Sequence, residues 1–268
     1  MPVDPPTSDG PSSDRNGPAS DRNAPNWAAP SWTAPSWTAP NPRRVGLLLP
    51  HTDTTLEWDL ARLLPDHSIH AHRLFLRDVS IDAEIAMVEE ETPSAVRYLT
   101  ELEPEVTIFG CTSAGALYGI EGERRFSENL ASDLGCPVVS AFGSVLAFLA
   151  RHNVARLALF TPYTIDVHNK VATSVEESGT EIVWNAALGL RLDTDIGRVS
   201  PAELLERFRD VALPECDAVF LSCTNLRGSE AASELQQRFG VRVFSSNMAI
   251  VEAVAQVPRR PSPGSALL

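Results

Sequence analysis

Two short segments of the chain resemble each other, and each carries a cysteine at the same place. Cys111 follows the apolar run 106–109, Cys223 follows the apolar run 218–221, and a threonine comes directly after each cysteine. Such runs are typical of buried parallel strands, whose carboxyl ends present the chemistry of an open α/β sheet. Two thiols at equivalent strand ends could face each other across one cleft, as acid, base or nucleophile on two faces of a small substrate.

The residues that follow each cysteine add hydrogen-bond donors for a bound anion. Backbone N–H groups at the start of the next helix can stabilise a thiolate or an oxyanion. Core packing explains most free cysteines, but it does not require two matching motifs. We therefore predict a catalytic pair, Cys111 and Cys223. The adjoining candidates for substrate binding are Thr112, Ser113, Thr224 and Asn225.

Two further loops stand at corresponding strand ends. Asp53 lies after the first strand of the first half, where it either caps the next helix or contacts substrate. Tyr163 occupies the matching place in the second half, where it either packs beneath a helix or donates its hydroxyl to a substrate carboxylate. The histidines and cysteines have no metal-ligand spacing, so we expect no metal, and the chain has no Gly-rich phosphate loop of either usual kind.

Strand and helix patterns alternate along the middle of the chain, which predicts an α/β protein with parallel sheets. The pattern also repeats, because 112 residues separate Pro50 from Pro162 and Cys111 from Cys223. We therefore predict two pseudo-symmetric Rossmann-like domains, each a parallel sheet flanked by helices, with the site in the cleft between them. The predicted first domain comprises 43–153 and 243–257, and the second comprises 154–242.

The two ends differ in composition from the rest. Residues 1–42 are rich in Pro, Ser, Ala and Asn and contain short repeats, and residues 258–268 are rich in Pro, Ser and Gly. Such segments bury too little apolar surface to offset their ordering entropy, so we predict two disordered tails. Tryptophans in the first tail are either a docking motif or part of a tolerated low-complexity sequence.

The net charge, the lack of long apolar runs and the cysteine content indicate which partners and which compartment to expect. A formal net charge of −13 argues against a nucleic-acid partner, which needs clustered Lys and Arg. No apolar run reaches the length of a bilayer span, and the N-terminus lacks the pattern of a secretory signal. Four cysteines without a regular framework indicate reduced thiols. We expect a cytoplasmic protein that acts on a small molecule, away from membranes.

Four motifs taken together resemble a known group of enzymes. They are Phe109–Ser113, Thr161–Tyr163, Ser222–Asn225 and Ser245–Asn247. In this order they resemble the maleate isomerase and arylmalonate decarboxylase group of the aspartate/glutamate racemase superfamily, from about residue 45 to residue 256. The resemblance implies a cofactor-independent enzyme of two Rossmann-like domains, commonly a homodimer, with its site between them.

The resemblance also implies roles for individual residues. By analogy Cys111 is the nucleophile or first base, and Cys223 is the opposing acid. Maleate isomerases have both cysteines, whereas the decarboxylase has glycine at the first position, so Cys111 counts against arylmalonate decarboxylation. The residues expected to hold a substrate carboxylate are Tyr163, Thr112, Ser113 and Thr224.

The chain departs from the maleate isomerase pattern at two places. Asp53 stands in a first loop that usually reads Pro-Ser-Ser-Asn, and Thr194 stands where a second substrate-binding Asn is expected. An Asp would repel a dianion by several kcal/mol at about 4 Å and an effective dielectric of about 20, but would favour an ammonium or amide group. We expect a substrate with one carboxylate and one nitrogen function. The loop 51–55 resembles a subgroup linked to ectoine utilisation.

Several functions stay open at this point. A thiolate can remove a proton next to a carboxylate while the other thiol reprotonates the opposite face, as in a racemase or epimerase. A thiolate can also add to a double bond and allow rotation, as in maleate cis–trans isomerisation. The remaining alternatives are an arylmalonate-type decarboxylase, a non-catalytic small-molecule binding protein and a redox-sensing thiol pair.

Overall fold

The computed structural model describes residues 42–259 of the 268-residue chain. The predicted tails 1–42 and 258–268 therefore lie outside the described residues, except for residues 42, 258 and 259. Within that range no helix combines the length and apolar character needed to cross a bilayer.

Strands and helices alternate through both halves, as the sequence predicts. The first half contains β1 (Arg43–Pro50), α1 (Leu56–Leu63), β2 (His67–Leu74), α2 (Ile81–Ala86), a π-helical segment (Met87–Glu91), α3 (Thr92–Thr100), β3 (Val106–Phe109), α4 (Thr112–Ala116), α5 (Gly119–Leu134), β4 (Val138–Ser140) and α6 (Ala141–Arg151). The second half contains β5 (Arg156–Tyr163), α7 (Ile165–Glu176), β6 (Glu181–Leu190), α8 (Asp193–Arg198), α9 (Pro201–Arg207), β7 (Ala218–Leu221), α10 (Gly228–Phe239), β8 (Arg242–Ser245) and α11 (Ser246–Gln256).

The strands form two four-stranded parallel sheets with the same order. One runs β2-β1-β3-β4 and the other runs β6-β5-β7-β8. Leu48 of β1 pairs with Phe109 of β3, and Phe160 of β5 pairs with Leu221 of β7, so the 112-residue repeat extends to the register of the sheets. β3 and β7 are buried along their whole length, which explains their continuous apolar sequence.

The last helix of each half crosses to the other half. Phe148 of α6 stacks on Phe244 of β8, with ring centroids 4.0 Å apart. Ile250 and Val254 of α11 join the core that contains Val45 of β1. This exchange ties the two sheets together. It also explains why the boundary at residue 243 divides an element: β8 pairs with β7 in the second sheet, whereas α11 packs on the first.

Three elements differ from the pattern in the sequence. Helix α5 (Gly119–Leu134) has a largely polar surface, which leaves only a narrow apolar stripe that includes Leu130 and Leu134. Helix α8 is only six residues long, and β6 is a long strand that continues to Leu190. As an edge strand, β6 alternates between exposed and half-buried residues, which weakens its apolar signal.

Candidate active site

Cys111 lies directly after β3 and is the residue that begins helix α4. Its backbone is extended, with φ −142°, and its side chain is 5% exposed. Gly110 before it has no side chain for a packing reason, since a Cβ there would lie 2.3 Å from Leu56 Cδ2 of α1. Glycine thus lets the end of β3 approach α1, and this brings Cys111 to the edge of the sheet where the first loop begins.

Cys223 occupies the same place after β7, but its backbone differs. Its φ is +107°, a region that non-glycine residues rarely adopt, and its side chain is 6% exposed. The Cys223 N–H donates to Ser246 Oγ at 3.1 Å. Thr112 donates its hydroxyl to the same Ser246 oxygen at 2.8 Å. One serine at the start of α11 therefore connects the two cysteine loops.

The two thiols and Tyr163 form one interacting group. Burial raises the pKa of Tyr163 well above its ordinary value, and Cys223 and then Cys111, when ionised, raise it further. The Tyr163 hydroxyl is buried and makes no hydrogen bond of regular geometry within residues 42–259. Ser222 and Cys223 lie beside this hydroxyl, and a buried phenol close to both thiols is suited to donate to an anionic substrate.

Burial dominates the ionisation of both thiols. It raises the pKa of Cys111 well above the ordinary thiol value, and Glu84 raises it further, whereas the Ala114 N–H lowers it. Burial likewise raises the pKa of Cys223, and the Asn225 N–H lowers it. The expected backbone N–H contacts are thus present, but desolvation outweighs them, so both side chains are neutral thiols at rest.

Three predicted carboxylate-binding hydroxyls already have acceptors. Thr112 donates to Ser246, Ser113 donates to Glu84 Oε1 at 2.5 Å, and Thr224 donates to the Gly110 carbonyl at 3.2 Å. A bound carboxylate would therefore meet Tyr163 and backbone N–H groups before it meets these hydroxyls.

Asp53 fills the capping role, and whether it also contacts substrate stays a prediction. Its Oδ1 accepts the N–H groups of Thr55 and Leu56, which caps helix α1 at 2.9 and 2.8 Å. Its Oδ2 is buried without a partner among the described residues. Burial, followed by the charge of Asp193, raises the pKa of Asp53 to about 6, while the Thr224 hydroxyl lowers it. One oxygen caps the helix, and the carboxyl group also lies beside the Thr224 hydroxyl.

Asn225, predicted to bind substrate, connects the first loop to α8. Its Oδ1 accepts from the Thr54 N–H at 2.9 Å, and its Nδ2 donates to the Asp193 carbonyl at 2.8 Å. Thr52 closes the same junction, because its hydroxyl donates to Asp193 Oδ2 at 2.7 Å. All amide atoms of Asn225 are therefore engaged, and its side chain acts as a clamp between the two halves.

Thr194, predicted to bind substrate, lies on the surface of α8, and the side chain beside it, Asp193, faces inward. The Thr194 side chain is exposed, whereas Asp193 is 8% exposed and is bonded to Thr52. Burial raises the pKa of Asp193, and its charge in turn raises the pKa values of Cys223 and Glu84. The rotation of the short helix α8, which depends on packing, decides which of the two side chains faces inward.

Two residues with polar side chains in the site gave little signal in the sequence. Glu84 is fully buried on α2 and contacts Ser113, and Ser246 is buried at the start of α11, where it accepts the Thr112 hydroxyl. Glu84 follows Ile81 and precedes Met87 by three residues each, so it stands on the apolar face of its helix. A glutamate on the apolar face of a helix was therefore the sequence feature that could have identified Glu84.

The side chains at the site are thiol, phenol, hydroxyl and carboxyl groups. Across residues 42–259 no group of three or more His, Cys, Asp or Glu side chains is arranged to hold an ion. The arrangement brings together two buried thiols, a phenol and three buried carboxyl groups. These groups can move protons or form a covalent bond through sulfur.

Comparisons with known proteins agree with this geometry. Maleate isomerases from Geobacillus stearothermophilus and Nocardia farcinica are 24% and 28% identical to the chain over 218 and 215 residues, which cover 76% of this chain and 86% and 85% of theirs. An arylmalonate decarboxylase from Bordetella bronchiseptica is 28% identical over 207 residues, covering 76% of this chain and 86% of its own.

Solved structures give the same picture. A cysteine-to-serine variant of the Nocardia farcinica maleate cis–trans isomerase, with a covalently bound succinylcysteine intermediate, matches with a TM-score of 0.76 and 25% identity, over 80% of this chain and 92% of that one. A liganded arylmalonate decarboxylase variant has one glycine changed to cysteine and one cysteine changed to serine. It matches with a TM-score of 0.72 and 26% identity, over 82% of this chain and 96% of that one.

A family model assigns the chain as a whole. The model for arylmalonate decarboxylase matches residues 45–264, which include both sheets and both cysteine loops. The two-sheet fold, the cysteine motifs and this match agree, and the chain therefore belongs to the arylmalonate decarboxylase family, enzymes of the aspartate/glutamate racemase superfamily.

Proposed function

We propose that the protein is an isomerase or racemase that uses Cys111 and Cys223 on opposite faces of a small carboxylate substrate. The observation that carries the proposal is the group formed by the two thiols and Tyr163, whose hydroxyl has no regular partner within the described range. A substrate carboxylate at Tyr163 would present its neighbouring carbon to both sulfurs. Loss of a proton from that carbon gives an enediolate, which the phenol and the backbone N–H groups would stabilise.

A covalent route is the second candidate, and one observation favours it. The Nocardia farcinica relative carries a succinylcysteine in a variant that lacks one cysteine. In this chain the corresponding step would form a bond between Cys111 sulfur and one carbon of a double bond. Rotation about the resulting single bond and elimination of the thiolate would then give the other isomer.

The buried carboxyl groups favour a substrate that contains nitrogen. Asp193 and Asp53 raise the pKa of Cys223, and Glu84 raises the pKa of Cys111, so acidic groups lie close to both thiols. With a pKa of about 6, Asp53 is mostly ionised at neutral pH. It would disfavour the second carboxylate of maleate and would accept an ammonium or amide N–H.

Decarboxylation of arylmalonates is the weaker alternative. Cys111 supplies a second thiol, and the same carboxyl groups would oppose the dianion of a malonate. Ectoine-derived substrates and assembly as a homodimer remain predictions. Activity on ectoine breakdown products and the mass measured by light scattering check them separately.

The test is turnover of a substrate panel in deuterated water. The panel comprises amino-acid derivatives, ectoine breakdown products, maleate and an arylmalonate, each assayed with wild type, Cys111→Ala and Cys223→Ala. We expect conversion of a nitrogen-containing carboxylate that requires both thiols, with deuterium at the α-carbon if protons are transferred. Rapid conversion of maleate without deuterium uptake would replace this mechanism with covalent addition.

Two outcomes would overturn the enzymatic account. Unchanged ligand affinity in all three proteins, with no conversion of any compound, would indicate a binding module. An intramolecular disulfide between Cys111 and Cys223 on mild oxidation, again without turnover, would indicate a redox sensor, and non-reducing mass analysis would detect it.

A further inference from the structure

Glu84 is a buried carboxyl group beside the first thiol. It is 0% exposed on α2, and its Oε1 accepts the Ser113 hydroxyl at 2.5 Å. Its Oε2 is buried and has no partner in the described part of the chain. Burying an ionisable group in this way is costly unless it is paired, so its retention at this position calls for a function.

The hydrogen bonds around Ser113 form a directed chain. Ser113 Oγ lies 3.8 Å from Cys111 Sγ, within the range of a sulfur hydrogen bond. When Glu84 is ionised, the Ser113 proton is donated to it, and the serine oxygen is left to accept the Cys111 S–H. When Glu84 is protonated, the same chain reverses, and Ser113 can donate to a Cys111 thiolate.

We propose that Glu84 is a positioning residue that accepts the Cys111 proton through the Ser113 hydroxyl during turnover. This inference rests on the proposed function of Cys111 as base or nucleophile. A thiol that is 5% exposed and covered by substrate has little access to bulk water, so its proton needs an acceptor inside the site.

The proton transfer is balanced within three residues. The Cys111 S–H bond breaks, and its proton passes to Ser113 Oγ while the original Ser113 hydroxyl proton passes to Glu84 Oε1. The electron pair of the broken bond stays on sulfur, where it removes the substrate α-proton or forms the C–S bond. The products are a thiolate, an unchanged serine and a carboxylic acid, with the net charge unaltered.

The surroundings of Glu84 raise its pKa, which suits it to accept a proton from a thiol. Burial raises the pKa of Glu84 to about 8, the Ser113 hydrogen bond lowers it, and the charge of Asp193 raises it. A carboxylate of ordinary pKa would be too weak a base to take a thiol proton. The titratable groups that interact with Glu84 or share its neighbours are Cys111, Asp193, Tyr163, Tyr118 and, on the π-helical segment, Glu89.

A second buried glutamate provides a matched control. Glu123 on α5 is 3% exposed, it accepts the hydroxyls of Ser127 and Ser140, and burial raises its pKa. It has the same kind of serine contacts as Glu84 but does not contact either thiol. Glu123→Gln therefore reproduces the loss of a buried carboxyl without the loss of the relay.

The first readout is the pH profile of turnover. For wild type and Glu123→Gln, kcat/KM rises with pH through about 8, as Glu84 loses its proton. In Glu84→Gln this rise of kcat/KM near pH 8 is absent. The value of kcat falls about 100-fold or more, and KM changes less than about threefold. Ser113→Ala gives a similar loss, and the double variant falls no further, since both changes break one chain. A retained rise near pH 8 in Glu84→Gln, or additive losses, would overturn the proposal.

The second readout does not require a substrate, so it separates this proposal from the proposed function. Iodoacetamide labelling of Cys111, located by peptide mass mapping, is measured between pH 6 and 10. The labelling rate of wild type and Glu123→Gln flattens above about pH 8, because ionised Glu84 then opposes the thiolate, whereas that of Glu84→Gln keeps rising. Coinciding profiles for all three proteins would refute the coupling, even if no substrate has been found.

Discussion

The two cysteine corners occupy equivalent positions in a duplicated frame, yet their surroundings differ. Cys111 has relaxed backbone and interacts with Glu84 through Ser113, whereas Cys223 has φ +107° and faces Asp53 and Asp193. The repeat thus supplies two thiols at matching strand ends. The loops that differ between the halves give those thiols different proton acceptors and different charges, which suits two distinct steps on one substrate.

The largest expected effect is the loss of either thiol. Cys111→Ala and Cys223→Ala should each lower kcat by about 10⁴-fold or more, because each removes a group that exchanges a proton or a bond with substrate. The variant Cys223→Ser distinguishes the roles of the two cysteines. If the reaction proceeds by covalent addition, this variant should accumulate a substrate adduct on Cys111, which intact-protein mass spectrometry would detect. If either single variant kept the turnover of wild type, the two cysteines would not act together on one substrate.

Glu84 should make the protein less stable as pH rises. A carboxyl whose pKa rises from 4.5 when unfolded to about 8 when folded holds more protons in the folded state, so its contribution to stability is lost across that window. We expect the free energy of unfolding of Glu84→Gln, relative to wild type, to increase by about 4 kcal/mol between pH 5 and pH 9.

Urea denaturation at the two pH values measures this difference. Glu90→Gln, a change at an exposed glutamate of the neighbouring π-helical segment, is the control and should follow wild type. A constant difference between Glu84→Gln and wild type would show that Glu84 ionises as easily in the folded chain as in the unfolded one.

Asp53 should control selectivity between dianions and nitrogen-containing substrates. Asp53→Asn keeps an oxygen for the cap of α1, since Asn is a good N-cap, and removes the charge beside Cys223. We expect kcat/KM for maleate to rise at least about tenfold at pH 8, where Asp53 is ionised, and to rise less at pH 5. Steady-state kinetics at both pH values measure this change, and Asp59→Asn, at another buried carboxyl, on α1, is the control. A smaller increase of kcat/KM at pH 8 than at pH 5 would contradict the prediction.

The smallest expected difference concerns the backbone. At φ +107° glycine is less strained than alanine, so Cys223→Gly should be more stable than Cys223→Ala by about 1 kcal/mol. At Cys111, with φ −142°, the order should reverse, because glycine only adds unfolded-state entropy there. Thermal unfolding of the four variants tests this, and the same order at both positions would argue against a strained second corner.

The sequence predicts the parts of the site that depend on local pattern. The runs before Cys111 and Cys223, the 112-residue repeat and the strand-end position of Tyr163 all follow from chain order, and the matching registers of the two sheets confirm the repeat. A strand ends at a definite residue, and the next side chain must lie at the sheet edge. No tertiary information is required for that step.

The remaining features depend on packing between distant segments. Asp193 rather than Thr194 faces inward because of the rotation of α8, and Glu84 reaches Ser113 across 29 residues of chain. The thiol pKa values rise rather than fall because burial outweighs the nearby N–H groups. Each of these outcomes is a balance that a linear motif does not contain.

Protection of the two thiols in one sample tests the central claim most directly. Wild-type protein is labelled with iodoacetamide with and without saturating substrate, and peptide mapping follows Cys111 and Cys223, with Cys216 outside the site as the internal reference. If one substrate lies between the two sulfurs, labelling of both should slow at least about tenfold while Cys216 is unaffected. Protection of one cysteine alone, or of neither, would contradict a shared cleft.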